Sequence, residues 1–404
     1  MADNTHSRTI FNKDFTKQEP IPEEGIARAI EIMKTGRLHR YNVAKGEISE
    51  TSLREKEFAE YIGRKYCAAF SSCGSSLYIA LKCLGVRHGD RVLCNAFTLA
   101  PVPGAIENAG AEVVLVDITD NYTLDPEDLL RKIESSGAKY LMLSHMRGHI
   151  SDMDKIVEIC KNNNVKMVED CAHTLGAKWA GRLTGTFGET GCFSTQTYKH
   201  MNSGEGGFLV TDDGDIIAQA ILYSGSYMLY ESHISRPPNK VFERYKKIIP
   251  NFSLRMSNLQ AAILRPQLKI LDKNCQRWND RYRLIERMLK DMDHIYLPER
   301  PPQEEYVASS FQFTLTGISY AQAGHFLEEC GERGVELKWF GWKEPKGFTS
   351  TFENWQYISM PQELPRTKKI LDFLFDFRLP LTFSLDDCSV VAMVIKESLK
   401  EVVN

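Results

Sequence analysis

With 404 residues, 43% hydrophobic and 25% charged, the chain is too long for one small core and has the balance of an ordinary globular protein in two parts. The formal net charge of −3 lacks the basic excess of a nucleic-acid binder. No run approaches about 18 uninterrupted apolar residues, so no membrane span is expected.

The opening stretch MADNTHSRTIFNKDF has no apolar core of a secretory signal, which points to a cytoplasmic protein. Ten cysteines form no C-x-x-C pair, so they read as free, buried thiols rather than metal ligands.

Residues 1–30 read as a polar arm running into a helix around EEGIARAIEIMKTG. Ala27, Ile30, Ile32 and Met33 would form its apolar face and Gly36 its stop. GRLHRYN is a loop, and SLREKEFAEYIGRKY a second amphipathic helix. From residue 67 short apolar runs (CAAFSS, RVLCNA, EVVLVDI, KYLMLSH, VKMVED) alternate with helical patterns. That rhythm implies parallel strands joined by right-handed crossovers, and continuously apolar strands imply cover on both faces. GCFSTQ and GGFLVTDD add two strands. A long helical stretch from Met256 to Met292 follows, in which Pro266 marks a kink or a boundary. Beyond about residue 300, VASSFQFTLTG reads as a strand and SYAQAGHFLEECGERG as a helix. The expected architecture is α/β: an N-terminal arm and a large, mostly parallel-sheet domain over 1–250, then a smaller α+β C-terminal domain over 251–404.

Three stretches carry chemistry. SSCGSSL follows a strand and opens a helix, whose N-terminal N–H groups and dipole suit a phosphate. Gly74 would let the backbone approach closely; the plain alternative is a helix cap by Ser75 or Ser76. VKMVEDCAHTLGA places Asp170 at the carboxyl end of a buried strand, where ligands of open α/β sheets bind. A carboxylate there can pair with a protonated ring nitrogen, and His173 can reach the same ligand; otherwise Asp170 caps a turn. GCFSTQTYKHMNSGEGGFLV sets Lys199 five residues after Ser194, before a glycine-rich turn. A lysine fixed in a rigid loop can lose the proton it normally keeps below a pKa of about 10.4 and condense with an aldehyde. Against this stands a solvent-facing lysine in a turn. In chain order the three supply a phosphate cradle, a ring-nitrogen carboxylate and a Schiff-base lysine, the set that pyridoxal-phosphate chemistry requires.

On CGSSLYIAL, GAEVVLVDI, GHISDMD, VEDCAHTLGA, FSTQTYK, GEGGFLVT and RMSNLQAAIL, the chain resembles the DegT/StrS-type sugar aminotransferases. These belong to the aspartate-aminotransferase class, fold type I. The match runs over about residues 25–270 and thins afterwards to DFRLPLTFSLDD. The resemblance implies pyridoxal 5′-phosphate as cofactor. It implies that Lys199 forms the internal aldimine and shuttles the proton, that Asp170 keeps the pyridine nitrogen protonated, and that His173 stands near the phenolic oxygen. Gly74, Ser75, Ser76 and Ser194 would hold the phosphate. It also implies a homodimer with the active site at the interface.

Three departures stand out. Leu99 follows Thr98 where the family has an aromatic stacked on the cofactor, so either Leu99 or Phe97 takes that place. Ser253 occupies the position of an asparagine that reaches the neighbouring subunit, with Asn251 two residues earlier. Arg147 replaces an aromatic in SHMRGHISDMD, where His145 and His149 lie on a strand-to-loop segment, so no metal site is expected.

The expected reaction moves an amino group from an amino acid, glutamate for choice, to a keto-sugar, in amino-sugar biosynthesis. Arg147, with Arg37, His39 and Arg40, would favour an anionic acceptor: a nucleotide-linked keto-sugar, or a keto-octulosonic acid of the 8-amino-3,8-dideoxy-octulosonate type found in lipopolysaccharide. Arg37 and Arg40 otherwise belong to the solvated surface. The alternatives are a sugar dehydratase on the same scaffold, whose relatives usually carry histidine in place of the lysine, and a non-catalytic regulatory relative. Trp339, Phe340 and Trp342 are either pocket or core.

Overall fold

The computed structural model describes residues 8–344, 351–358 and 362–403. All seven runs read from the first half of the sequence are strands of one sheet. They are β1 (Tyr66–Phe70), β2 (Arg91–Asn95), β3 (Glu112–Val116), β4 (Tyr140–Ser144), β5 (Lys166–Asp170), β6 (Thr190–Ser194) and β7 (Gly207–Thr211). Their spatial order is β1-β7-β6-β5-β4-β2-β3. Pairing is parallel from β6 across to β3, and only β7 runs against both its neighbours. Helices lie on both faces, which is why β3, β4 and β5 are buried at every position but the first.

The helix Cys73–Leu84 starts directly behind β1. Its N-cap is Ser72, whose side chain accepts from the Ser75 N–H, so the cap falls earlier than Ser75 or Ser76.

The first helix spans Glu23–Thr35, and its inward face is Gly25, Ala29 and Ile32. Ile30 and Met33, expected inside, are exposed. Gly25 is what turns the helix over: an added Cβ there would lie 3.1 Å from the Pro266 ring, so the smallest residue faces the neighbouring helix. That neighbour is Asn258–Lys269, with Pro266 inside it; the long helical stretch breaks four residues later, at Ile270, before Leu271–Leu289.

The smaller sheet joins β8 (Ile295–Tyr296), β9 (Ser310–Leu315), β10 (Lys338–Trp339) and β11 (Leu374–Arg378) in the order β8-β9-β11-β10, all antiparallel. Helices Tyr320–Glu332 and Leu385–Val403 complete this part. Trp339 and Phe340 are core here: Trp339 stacks on Phe375 at 5.7 Å and Phe340 meets Phe97 edge-on at 5.2 Å. One continuous apolar cluster runs from the large sheet into the smaller one, so the two parts share a core. All ten cysteines are free and buried. Among the described residues no helix is long and apolar enough to cross a membrane.

Candidate active site

Parallel register decides where the site lies. β4 and β5 pair with Ser144 beside Asp170, so both chains present their carboxyl ends together. The Ser144 hydroxyl donates to Asp170 Oδ2 at 2.9 Å and accepts from the Thr98 hydroxyl at 2.8 Å. The N–H of Ala172 donates to Asp170 Oδ1 at 3.1 Å. Burial pushes the Asp170 carboxyl above its usual pKa, while the Ser144 hydroxyl, the Ala172 N–H and Lys199 pull the other way. Asp170 is 5% exposed and lines a cavity of about 510 Å³.

Lys199 enters the same cavity from a loop held on all sides. Between β6 and β7, Thr195 N–H donates to Gly206 O, Ser203 N–H to Thr195 O and Thr197 N–H to Gly204 O. The helix Asn258–Lys269 grips the loop from outside: Gln267 accepts from Asn202 N–H at 2.7 Å and donates to Asn202 O at 2.8 Å. Gln260 of the same helix donates to Glu205 O at 2.7 Å. Gly207 is required by close approach, since a Cβ there would sit 2.6 Å from the backbone N of Cys73.

Lys199 Nζ stands 2.7 Å from His173 Nε2. Burial, together with the Arg147 guanidinium, brings the Lys199 amine down to about 8. Burial and the Lys199 charge hold His173 well below the usual histidine pKa, so its ring is neutral.

The remaining expected residues divide. Gly74 and Ser194 line the cavity. Cys73 and Gly74, first in their helix, have N–H groups without an intrahelical acceptor, as every helix start does. The Ser75 hydroxyl lies 2.9 Å from that of Ser72, beside the cradle. The Ser76 side chain is not brought to the cavity: it is fully buried and its hydroxyl donates to Cys73 O at 2.8 Å. Leu99, not Phe97, lines the cavity; Phe97 is core, against Tyr122 and Phe340. Arg40 does not lie on the solvated surface. It is 1% exposed and grips both oxygens of Glu55 at 2.7 and 2.9 Å. His145 and His149 diverge, toward Glu169 at 3.4 Å and Gln312 at 2.8 Å. His200 turns into the core, 3.1 Å from the Ser309 hydroxyl and 4.9 Å from the Trp278 ring.

Sequence reasoning passed over Thr98, Ser144, Tyr198 and Arg378, all of which line the cavity. Arg378 ends β11, over 170 positions after Lys199, and its guanidinium lies 3.7 Å from the Tyr198 ring centre. The alternation in DFRLP was the available signal, since Asp376 and Arg378 fall on one face of a strand.

A buried carboxylate at the carboxyl ends of parallel strands, a low-pKa lysine on a clamped loop and an open helix start define an α/β protein that holds a phosphorylated, ring-bearing ligand. The chain belongs to the DegT/DnrJ/EryC1/StrS aminotransferase family, which matches residues 22–395 and comprises sugar aminotransferases that use pyridoxal phosphate. A putative L-glutamine:3-amino-2,3-dideoxy-scyllo-inosose aminotransferase of Micromonospora echinospora is 30% identical over 279 residues, 66% of this chain and 63% of that protein. A GDP-perosamine synthase of Caulobacter vibrioides is 34% identical over 221 residues, 54% of this chain and 56% of that protein. The chain thus spans between 56% and 63% of the length of these two relatives. In fold, it is similar to 3-amino-5-hydroxybenzoic acid synthase, with a TM-score of 0.82 at 22% identity over 98% of this chain and all of the other. It is likewise similar to a putative sugar aminotransferase of Streptococcus pneumoniae in its PLP form, with a TM-score of 0.80 at 17% identity, over 98% of this chain and 100% of that one.

The residues present fit pyridoxal phosphate. Asp170 offers a carboxylate to a protonated ring nitrogen, Ser194 and the start of the helix at Gly74 offer donors to a phosphate, and Lys199 offers an amine of lowered pKa.

Proposed function

We propose that the chain is a pyridoxal-phosphate aminotransferase that moves an amino group from an amino acid, glutamate, to an anionic keto-sugar. The acceptor is a nucleotide-linked keto-sugar or a keto-octulosonic acid of the 8-amino-3,8-dideoxy-octulosonate type. The observation that carries this reading is Lys199 Nζ at 2.7 Å from neutral His173, with Asp170 on the same cavity wall. Lys199, Asp170 and His173 are the proposed catalytic residues, and Gly74, Ser75 and Ser194 the proposed phosphate cradle; Ser76 drops out of it, since its hydroxyl donates to Cys73 O and its N–H to Ser72 O.

When bound, the cofactor supplies an electron-withdrawing ring and a reactive aldehyde carbon. The chain's own residues do the rest. Asp170 Oδ2 receives one hydrogen bond, and Oδ1 one from the Ala172 N–H plus a weak one from the Cys73 thiol at 3.9 Å, so the carboxylate keeps capacity to hold a ring N–H⁺ in place. Lys199 Nζ takes up and returns a proton, which its lowered pKa permits near neutrality. His173, neutral and in contact with that amine, orients it. Glutamate would enter first and leave as a keto acid; the keto-sugar would then take the amine.

The dehydratase alternative weakens at His200, which packs on Trp278 while Lys199 occupies the cavity. The reading further places the protein in the cytoplasm as a homodimer, working on amino sugars for a surface polysaccharide such as lipopolysaccharide. The test is a screen of charged and neutral keto-sugars against the pyridoxamine-loaded protein, following the cofactor's absorbance. Amine transfer with a preference for charged acceptors is expected. Water loss without net amine transfer, or a preference for neutral cyclitols, would contradict it.

A further inference from the structure

β2, β4 and β5 lie side by side in the large sheet, and all three run the same way. Their last residues are Asn95, Ser144 and Asp170. Asn95 is fully buried and Ser144 nearly so, and both are tied to Asp170 by hydrogen bonds whose directions chemistry fixes. An ionised carboxylate has no proton to give, so the bond at 2.9 Å between Ser144 Oγ and Asp170 Oδ2 spends the one hydroxyl proton of Ser144. Toward Thr98 that hydroxyl can then only accept, and the Thr98 hydroxyl donates to it at 2.8 Å. Asn95 holds the backbone of the same serine: its Oδ1 accepts from Ser144 N–H at 2.9 Å and its Nδ2 donates to Ser144 O at 3.2 Å. A further bond from Nδ2 to Phe97 O at 2.7 Å sets which way the amide faces, because a carbonyl only accepts.

This relay answers a specific difficulty at Asp170. Burial favours the neutral form of a carboxyl, and a neutral carboxyl gives up the ion pair with a protonated ring nitrogen. Burial does push Asp170 upward, and of the groups that pull the other way the Ser144 hydroxyl acts most strongly, ahead of the Ala172 N–H and Lys199. The same bonds set the geometry. Oδ2 is tethered to β4 through Ser144, and Oδ1 to the Ala172 N–H at 3.1 Å, so one tether on each oxygen fixes the rotation of the side chain.

We propose that Ser144, held by Thr98 and Asn95, is a positioning residue for the reaction: its hydroxyl keeps Asp170 ionised and oriented for the ring nitrogen of the cofactor. The inference rests on the pyridoxal-phosphate reading and deepens it, by placing the control of the ring-nitrogen carboxylate on residues of β2, β4 and the turn after β2.

The test compares two ligands of the cofactor-free protein: pyridoxal phosphate, and its analogue with carbon in place of the ring nitrogen. Only the first uses the charge on Asp170, so the ratio of the two affinities, from absorbance titration, reads that charge without any turnover. Wild-type protein should prefer pyridoxal phosphate. Ser144→Ala should shrink the preference roughly 10- to 100-fold through loss of a hydrogen bond to a charged group. Thr98→Val, which keeps the side chain's shape without its hydroxyl, should shrink it less, and Thr98→Ser, which keeps the hydroxyl, should preserve it. A general loosening of the cavity weakens both ligands together and leaves their ratio intact. A ratio unchanged from wild type in Ser144→Ala overturns the proposal; if that variant does not fold, an unchanged ratio in Thr98→Val does so. Wild-type protein that binds neither ligand overturns the pyridoxal-phosphate reading itself, whereas binding of both with unchanged ratios overturns only the role of Ser144.

Discussion

At Lys199 the chemistry turns on one proton. A free lysine of pKa about 10.4 is almost wholly charged at pH 7, whereas an amine at about 8 is neutral in roughly one molecule of ten. Because the shift is downward, the neutral, nucleophilic form grows as pH rises through about 8 and is complete above it. Capture of added pyridoxal phosphate by the cofactor-free protein should follow that curve in stopped-flow absorbance; a midpoint near 10 would contradict the buried-amine account. Lys199→Ala should lower turnover by at least 10²- to 10⁴-fold through loss of the base alone, read in single-turnover assays. Near-normal turnover would refute the assignment. Asp170→Asn should weaken cofactor binding roughly 10- to 100-fold by removing a charge-assisted hydrogen bond, measured by absorbance titration. Lys199, Asp170 and His173 were legible in the sequence because each sits in a short stretch whose neighbours fix its place. Arg378, Ser144 and Thr98 were not, since the fold brings them to the cavity from other strands and from far along the chain.

At the scale of elements, Glu169 shows how a neighbour of the site holds its loop. Its buried carboxylate accepts from the N–H groups of Gly185, Phe187 and Gly188 at 2.8, 2.6 and 2.8 Å. Burial opposes the charge, but His145 and those N–H groups outweigh it and keep the carboxyl below its usual value. Glu169→Ala would strand three donors in the loop before β6 and should cost about 3–5 kcal/mol in denaturant unfolding. A loss under about 1 kcal/mol would show that the loop is held by something else. The seven strands of the large sheet were readable because double-sided burial writes continuous apolar runs. The first helix was misread on one face, since Ala27, Ile30 and Met33 outweigh Gly25 in hydrophobicity while Gly25 is what the neighbouring helix needs. β11 escaped notice as a strand because LFDFR alternates with charge: Arg378 lines the cavity and Asp376 is buried against Arg147.

Taken whole, the molecule leaves apolar side chains uncovered: beside Arg255, Tyr227 is 60% exposed and Met228 55%, and on the segment before Pro250 Ile248 is 74% exposed. Tyr227 and Met228 are both held at positive φ, with Arg255 5.0 Å from the Tyr227 ring. If the proposed homodimer forms over this face, these residues gain a partner surface of the same kind. Sedimentation should find a dimer, and Met228→Asp should shift it toward monomer; a monomeric wild type would contradict the proposal.

The central claim is that Lys199 is the amine that joins the cofactor. Borohydride reduction of protein loaded with pyridoxal phosphate, followed by peptide mass mapping, tests it most directly. The account predicts a pyridoxyl adduct on the peptide carrying Lys199 and on no other. An adduct on a different lysine, or none, would contradict it.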